Sequence, residues 1–284
     1  MKTKWKGWSL AFLVTIVVAA CGGGGGGTSA SGQMETTIDT PQKAASAFVA
    51  TSRTNADFFA LVRWAEVMLQ SIDNDLGRPE PLYARGVYRH NEWPCAGGGT
   101  MKVSGTVSLN GNRDFNLSVA MEACTLGGTR IDGRFELRGT IHKDMSVIRM
   151  QVTMKKLAIA TENPVEFDGV LDIDNSGGKY RLTLNGDISG AGVKTRYDDY
   201  HVAISGEGAL EAQMIRGRFE ILESPDACLP GKYEVDTVVP IADGGKLNIN
   251  GALFTYHTDG SADIVFEGGN TIVKRDAGTV CSRK

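Results

Sequence analysis

The chain is poor in the residues that usually announce chemistry. Phe, Tyr and Trp together make up 7% of it, and histidine occurs 4 times. No two of His90, His142, His201 and His257 stand at a metal-binding spacing such as His-x-x-x-His. Each falls in or beside an alternating stretch, where a surface or half-buried strand position accounts for it better than ligation does. No Gly-x-Ser-x-Gly elbow is present, and no trio of residues is picked out for nucleophilic work. There is no Cys-x-x-Cys either. Charge of one sign is not in excess: 30 Lys and Arg face 33 Asp and Glu, a net −3. Without a basic stripe interleaved with aromatics, no nucleic-acid partner is expected. These absences leave no expected cofactor, no metal and no enzymatic activity.

What is present begins at the front. Lys2, Lys4 and Lys6 precede an apolar run from Leu10 to Ala20, which ends in Val18-Ala19-Ala20-Cys21. A charged start, a short apolar stretch and small residues before a cut site make a secretory signal. The run is shorter than the roughly 20 residues a membrane-spanning helix needs. Val18 to Cys21 resembles the lipobox of bacterial lipoprotein precursors. That resemblance implies that the Cys21 thiol receives a diacylglycerol and that the chain is cut after Ala20. The membrane is then a partner through this lipid, since each buried methylene contributes roughly 0.8 kcal/mol. Gly22 after the cysteine resembles the kind sorted to the outer membrane. Residues Gly22 to Gln33 are a Gly/Ser tether, expected to be a flexible coil reaching roughly 20 Å root-mean-square.

The expected organisation is a signal peptide over 1–20, a lipidated Cys21 and tether over 21–39, a helical segment over 40–78 and an antiparallel β domain over 79–284. The last is long enough for one large unit or two, 79–224 and 225–284. Setting Cys21 aside leaves Cys95, Cys124, Cys228 and Cys281. An even number in an exported chain favours disulfides over a Cys₄ metal site. Of the three pairings, proximity favours Cys95–Cys124 with Cys228–Cys281.

Thr40-Pro41 is a helix start, with Thr as N-cap and Pro in the first turn. No Gly or Pro follows from Gln42 to Leu76. Phe58, Leu61, Ala65, Met68, Ile72 and Leu76 step by three or four and share one helical face. Arg53-Thr54-Asn55 marks a place where two helices could divide, and Gly77-Arg78-Pro79 ends the segment.

Beyond Pro81 the period changes to two. Ile131, Gly133, Phe135, Leu137, Gly139 and Ile141 alternate with Arg130, Asp132, Arg134, Glu136, Arg138 and Thr140. One face is apolar or Gly and the other strongly polar. The same alternation runs through Met101–Leu109, Phe115–Met121, Val165–Ile173, Tyr180–Ile188 and Tyr200–Leu210, with Asn110-Gly111 and 175–178 as turns. Further strands are expected near 145–160, 214–223, 232–240, 246–256 and 261–274. The fold class is therefore mainly β: a curved antiparallel meander sheet of about 11–12 strands packed on the N-terminal helical segment. Its polar face is too charged for a transmembrane barrel. Gly105, Gly133, Gly139, Gly169, Gly186, Gly206 and Gly251 recur on the inward side. They point to strong curvature or to something pressed against the concave face, with the helix as the first candidate.

Three polar groups invite a closer look. Asp172-Ile173-Asp174-Asn175-Ser176-Gly177 imitates the start of a calcium loop, but its twelfth position is Thr183 instead of a bidentate Glu. A strand entering a hairpin explains it better. Asp198-Asp199 with Tyr197, Tyr200 and His201 forms either a polar binding spot or a solvated strand edge. Glu162 and Glu166 flank Asn163-Pro164 in a turn, without a glycosidase-like context.

The stretches Cys95-Ala96-Gly97-Gly98-Gly99-Thr100 with Phe115, Cys124 and Ile131-Asp132-Gly133, and Cys228-Leu229-Pro230-Gly231-Lys232-Tyr233 with Thr237, Pro240, Asn250-Gly251 and Asp259-Gly260, resemble uncharacterised bacterial lipoproteins. The resemblance implies localisation and architecture and carries no reaction. Three roles are in competition: first a non-enzymatic envelope protein that is structural, adhesive or, binding a protein partner, part of an assembly, second a binder or carrier of an apolar ligand such as lipid in the concave sheet, and last an enzyme whose site is assembled from distant loops. Periplasmic lipid carriers are similar in outline to the second. Phe58, Trp64 and Met68 are the expected ligand-facing residues for it.

Overall fold

The computed structural model describes residues 36–74, 87–108, 112–126, 128–142, 147–160, 164–175, 180–204, 214–240, 245–257 and 259–274. Cys21, the segments before and after it, Gly206 and Cys281 lie outside the described residues.

Among the described residues, one helix, α1 (Pro41–Asn74), precedes fourteen strands. These are β1 (Val87–Pro94), β2 (Thr100–Val107), β3 (Arg113–Leu126), β4 (Thr129–Ile141), β5 (Val147–Ala160), β6 (Val165–Asp174) and β7 (Tyr180–Gly190). They continue as β8 (Val193–Ile204), β9 (Met214–Glu223), β10 (Gly231–Val239), β11 (Lys246–Ile249), β12 (Ala252–Tyr256), β13 (Ala262–Phe266) and β14 (Gly269–Val273). Every strand pairs antiparallel with its neighbours in sequence, in one sheet ordered β1 to β14 and not closed. The mainly β meander with an N-terminal helix is therefore as expected.

The strand count exceeds the expected eleven or twelve for local reasons. β1 is rich in polar residues and shows no clean alternation. The stretches 246–256 and 261–274 each fold back on themselves, at Asn250-Gly251 and Glu267-Gly268, into strands of 4 or 5 residues. β8 begins at Val193, earlier than the expected Tyr200.

α1 is unbroken at Arg53–Asn55. Its N-cap forms as the sequence predicts: the Lys43 N–H donates to Thr40 Oγ1 at 3.3 Å and the Ala44 N–H to the Thr40 carbonyl at 3.0 Å. Ala44, Ala47, Phe48, Ala50, Phe58 and Leu61 are buried in one core with the inward residues of the strands. That core includes Met101, Val119, Phe135, Val152, Phe167, Leu184, Phe219 and Phe254. A disulfide joins Cys95 to Cys124 with Cα atoms 5.5 Å apart, tying the end of β1 to β3 across β2. A bridge closing a loop of this length typically contributes about 3 kcal/mol. Cys228 is also disulfide-bonded.

The inward glycines answer to the sheet and not to the helix. A Cβ on Gly105 would lie 2.0 Å from the Asn116 carbonyl oxygen, and one on Gly139 2.1 Å from that of Arg149. Gly169 and Gly186 sit opposite each other on β6 and β7. Neighbouring backbones approach too closely there for any side chain, which lets the sheet coil tightly. Gly251 differs: it lies in the β11–β12 turn, with open space where a Cβ would go.

Bulges add to the bending. Registers slip between Met121 and Cys124, Met154 and Leu157, and Asp198 and His201. Ala123, Lys156 and Asp199 take positive φ there, at 50°, 48° and 51°. A bulge leaves a ladder N–H unpaired. Asp132 Oδ1 accepts the Ala123 N–H, and Asn185 Oδ1 accepts the Asp199 N–H at 2.8 Å. Asn250 Oδ1 accepts the Glu234 N–H at 2.6 Å, while its Nδ2 donates to the Thr36 carbonyl at 2.7 Å, holding the entry to α1 against β10.

Gly186→Ala tests the close-approach account. The new Cβ would lie 2.4 Å from the Asp168 carbonyl oxygen and 2.5 Å from Gly169 Cα. Urea unfolding should show a loss of more than about 2 kcal/mol. Gly128→Ala, at a positive φ with open space around it, should cost only about 1 kcal/mol. Equal costs would place the strain in the backbone torsion alone.

Candidate functional site

Two surfaces carry polar chemistry, one on each side of β8. A bulge at Asp199 lies between them. In a regular strand Tyr197 and Tyr200, three residues apart, would face opposite sides. The extra residue turns both inward, where both are fully buried, and leaves Asp198, Asp199 and His201 facing outward. The sequence grouping of these five residues is therefore split by the sheet.

On the inner side, the two tyrosines hold α1. The Tyr197 hydroxyl donates to the Thr54 carbonyl at 3.0 Å, and the Tyr200 hydroxyl donates to Asn55 Oδ1. Phe58 packs on Tyr200 with ring centroids 5.8 Å apart. Tyr200 meets Phe219 edge-on at 6.1 Å, and Phe219 stacks on Tyr233 at 5.0 Å. Phe48 stacks on Tyr256 at 5.7 Å. Phe58, expected to face a ligand, faces this aromatic seam. Trp64 and Met68 are on α1, but their side chains lie outside the description.

The seam is not wholly apolar. The Thr51 and Thr54 hydroxyl oxygens are buried without a hydrogen-bond partner among the described residues. Burial raises the Asp57 carboxyl from 3.8 to about 6, against the lowering effect of Arg53. Burial also raises Tyr233 to about 12 and pushes Tyr197, Tyr200 and Tyr256 up, so all four phenols are neutral at physiological pH.

On the outer side, polar residues stand in one cross-strand row. Arg138, Gln151, Asp172, Thr183, His201 and Arg216 are successive partners from β4 to β9. Gln151 Nε2 donates to Asp172 Oδ1 at 2.9 Å, and Thr183 Oγ1 and His201 Nδ1 share a hydrogen bond of 2.8 Å. His201 Nε2 lies 3.1 Å from Asp199 Oδ1, so both ring nitrogens are engaged. In the adjacent row Arg149 pairs with Asp174 at 3.6 Å, and Arg181 sits opposite Asp174. Small side chains, Thr183 and Ala203, floor this region, and arginine stems wall it. The result is an open depression of about 970 Å³ across β4–β9. A second depression, of about 310 Å³, shares His201 and Arg216 with it and adds Asp198, Asp199, Arg218 and Glu234.

Asp172 and Asp174 thus serve cross-strand pairing, as their alternating position implies, and no group of three or more potential metal ligands occurs among the described residues. His142 and His257 are exposed, and His257 Nε2 pairs with Asp263 at 3.0 Å. The outer row escapes sequence reading because register decides which polar residues meet. Its only trace in the sequence is that each member occupies the polar phase of its own strand.

No family model, no curated protein and no solved structure matches the chain.

Asp57 makes helix docking depend on pH. A carboxyl whose folded value is raised contributes stability that is full below its unfolded value, near 3.8, and lost as pH rises through about 6. A shift of this size corresponds to about 2–3 kcal/mol between pH 4 and pH 7. Asp57→Asn should remove that pH dependence and raise stability at pH 7, measured by urea unfolding across this window. A pH profile unchanged by the substitution would show the carboxylate to be solvated.

Proposed function

We propose that the protein is a lipid-anchored lipoprotein of the bacterial envelope, held at the outer membrane through Cys21, that binds a partner on its sheet and has no catalytic role. The lipobox-like Val18-Ala19-Ala20-Cys21 supports the anchor. The observation that carries the binding role is the occupation of the concave face by the chain's own helix. Ala44, Ala47, Ala50, Phe58 and Leu61 fill it, and two tyrosine hydroxyls fasten it. A carrier of apolar ligands needs a dry, open cavity there. The outward face is the one that remains accessible, and it is polar and indented.

The carrier reading keeps one observation in its favour. Thr51, Thr54 and Asp57 place polar groups in the seam, which weakens the docked helix relative to an all-apolar one. On that reading α1 is a plug that leaves when lipid enters.

Native mass spectrometry of the full chain, made in a bacterial envelope, separates the readings. A protein-binding or structural role predicts the acyl modification on Cys21 and no extractable lipid. A lipid lost on organic extraction supports the carrier. Cys21→Ser should abolish the acyl mass and release the protein from the membrane fraction; a variant that remains acylated and membrane-bound would refute the anchor.

A further inference from the structure

Going beyond the anchor and the polar outer face, we propose that β14 is the edge through which two copies of this chain pair about a twofold axis. The sheet is not closed, so β1 and β14 each keep one side that no described strand pairs with. A free edge offers its N–H and C=O groups to another strand, and proteins obstruct it with charge, proline or a bulge. β1 has all three: Arg89 and Glu92, Pro94, and a register slip between Tyr88 and Asn91. β14, with the sequence Gly-Asn-Thr-Ile-Val, has none of them, and its pairing with β13 is regular from end to end. Val273 is buried against the core, but Ile272 is 68% exposed. Val265 on β13, diagonal to Ile272, is 55% exposed.

The strand's own ends identify a second copy as the occupant. Glu267 lies just before β14 and Lys274 just after it; both are exposed, and neither is ion-paired among the described residues. The ~17 Å of strand between them keeps them apart within one copy. An antiparallel second copy centred on Thr271 sets each Lys274 opposite Gly268 of the other chain, next to that chain's Glu267. Opposite charges then meet at both ends of the paired strands, whereas a copy running parallel would bring like charges together. The same register sets Ile272 against Asn270 and brings the two Ile272 side chains to diagonal positions, with a Val265 beside each. Four apolar groups that are exposed in one copy thus form one patch astride the axis. Because β1 is obstructed, pairing closes at two copies instead of growing into a fibre. A contact of this length is small against the roughly 1,200–2,000 Å² of a stable interface, so the dimer is weak and depends on concentration.

Sedimentation equilibrium of the purified full chain, in detergent matched to the solvent density, should show monomer and dimer exchanging between about 1 and 100 µM. Carbodiimide treatment of mixed unlabelled and nitrogen-labelled chains should join Glu267 of one chain to Lys274 of another as an amide, with loss of one water. Ile272→Glu places two like charges diagonally across the axis and should weaken dimerisation at least about tenfold, as should Glu267→Lys. Glu267→Lys together with Lys274→Glu should restore it to within about threefold, which a folding defect would not do. Val87→Glu, an equal change at an exposed residue of the β1 edge, should leave it within about twofold. A chain that stays monomeric throughout, its edge left to its own residues 275–284 or to another protein, overturns the assignment. Growth beyond two copies, a crosslink confined to single chains, or a charge swap that fails to restore pairing overturns it too. The measurements on the unmodified chain do not depend on any variant folding. Pairing and anchoring also fail separately, because the acyl group is read from the mass of one chain and pairing from the association of two.

Discussion

The grip of two tyrosines on one turn of a helix organises this structure. Tyr197 and Tyr200 reach through the apolar interior to the backbone of Thr54 and the side chain of Asn55. A coiled sheet of this width has a hydrophobic concave face that must be covered. α1 covers it, and apolar contact alone would let a helix slide or rotate along such a surface. Two directional hydrogen bonds in a water-poor interior fix its register, because a buried hydroxyl or carbonyl left unpaired is costly. The aromatic chain from Phe58 through Tyr200 and Phe219 to Tyr233 spreads that fixed position over β8, β9 and β10.

The same constraint explains the outer surface. Bringing Tyr197 and Tyr200 to one side requires an extra residue in β8, and that residue is Asp199, in a conformation few side chains adopt. Its amide is satisfied by Asn185 from the neighbouring strand, so the distortion leaves no orphan donor. The by-product is a pair of adjacent outward carboxylates beside His201. Helix anchorage inside and polar relief outside are two sides of one irregularity.

Much of this architecture is visible in the alternation of residues. Ile131 to Ile141 declares a strand with one wet face, and Thr40-Pro41 declares the helix start. What alternation hides is departure from itself. Period two puts Tyr197 and Tyr200 on opposite faces, and only the three-dimensional register shows them together. The last four strands are too short to establish a period, so 246–256 and 261–274 read as single strands. The inward glycines signal curvature correctly in kind, but a sequence does not say whether a helix or a neighbouring strand presses on them. The outer arginines look like ordinary solvated positions until register sets Arg138, Gln151, Asp172, Thr183, His201 and Arg216 side by side.

The meander has a consequence for the order of assembly. Each strand pairs with the one made just before it, so the sheet grows by local hairpins with little loop-closure entropy. The helix is the exception. It precedes every described strand in the chain, yet the Tyr197 hydroxyl that fastens it at Thr54 lies 143 residues later. Until β8 has emerged, Phe58 and Leu61 have no tyrosine seam to pack on. α1 thus waits for a strand far along the chain before it is fastened, and in the interval its apolar side is a natural target for a chaperone.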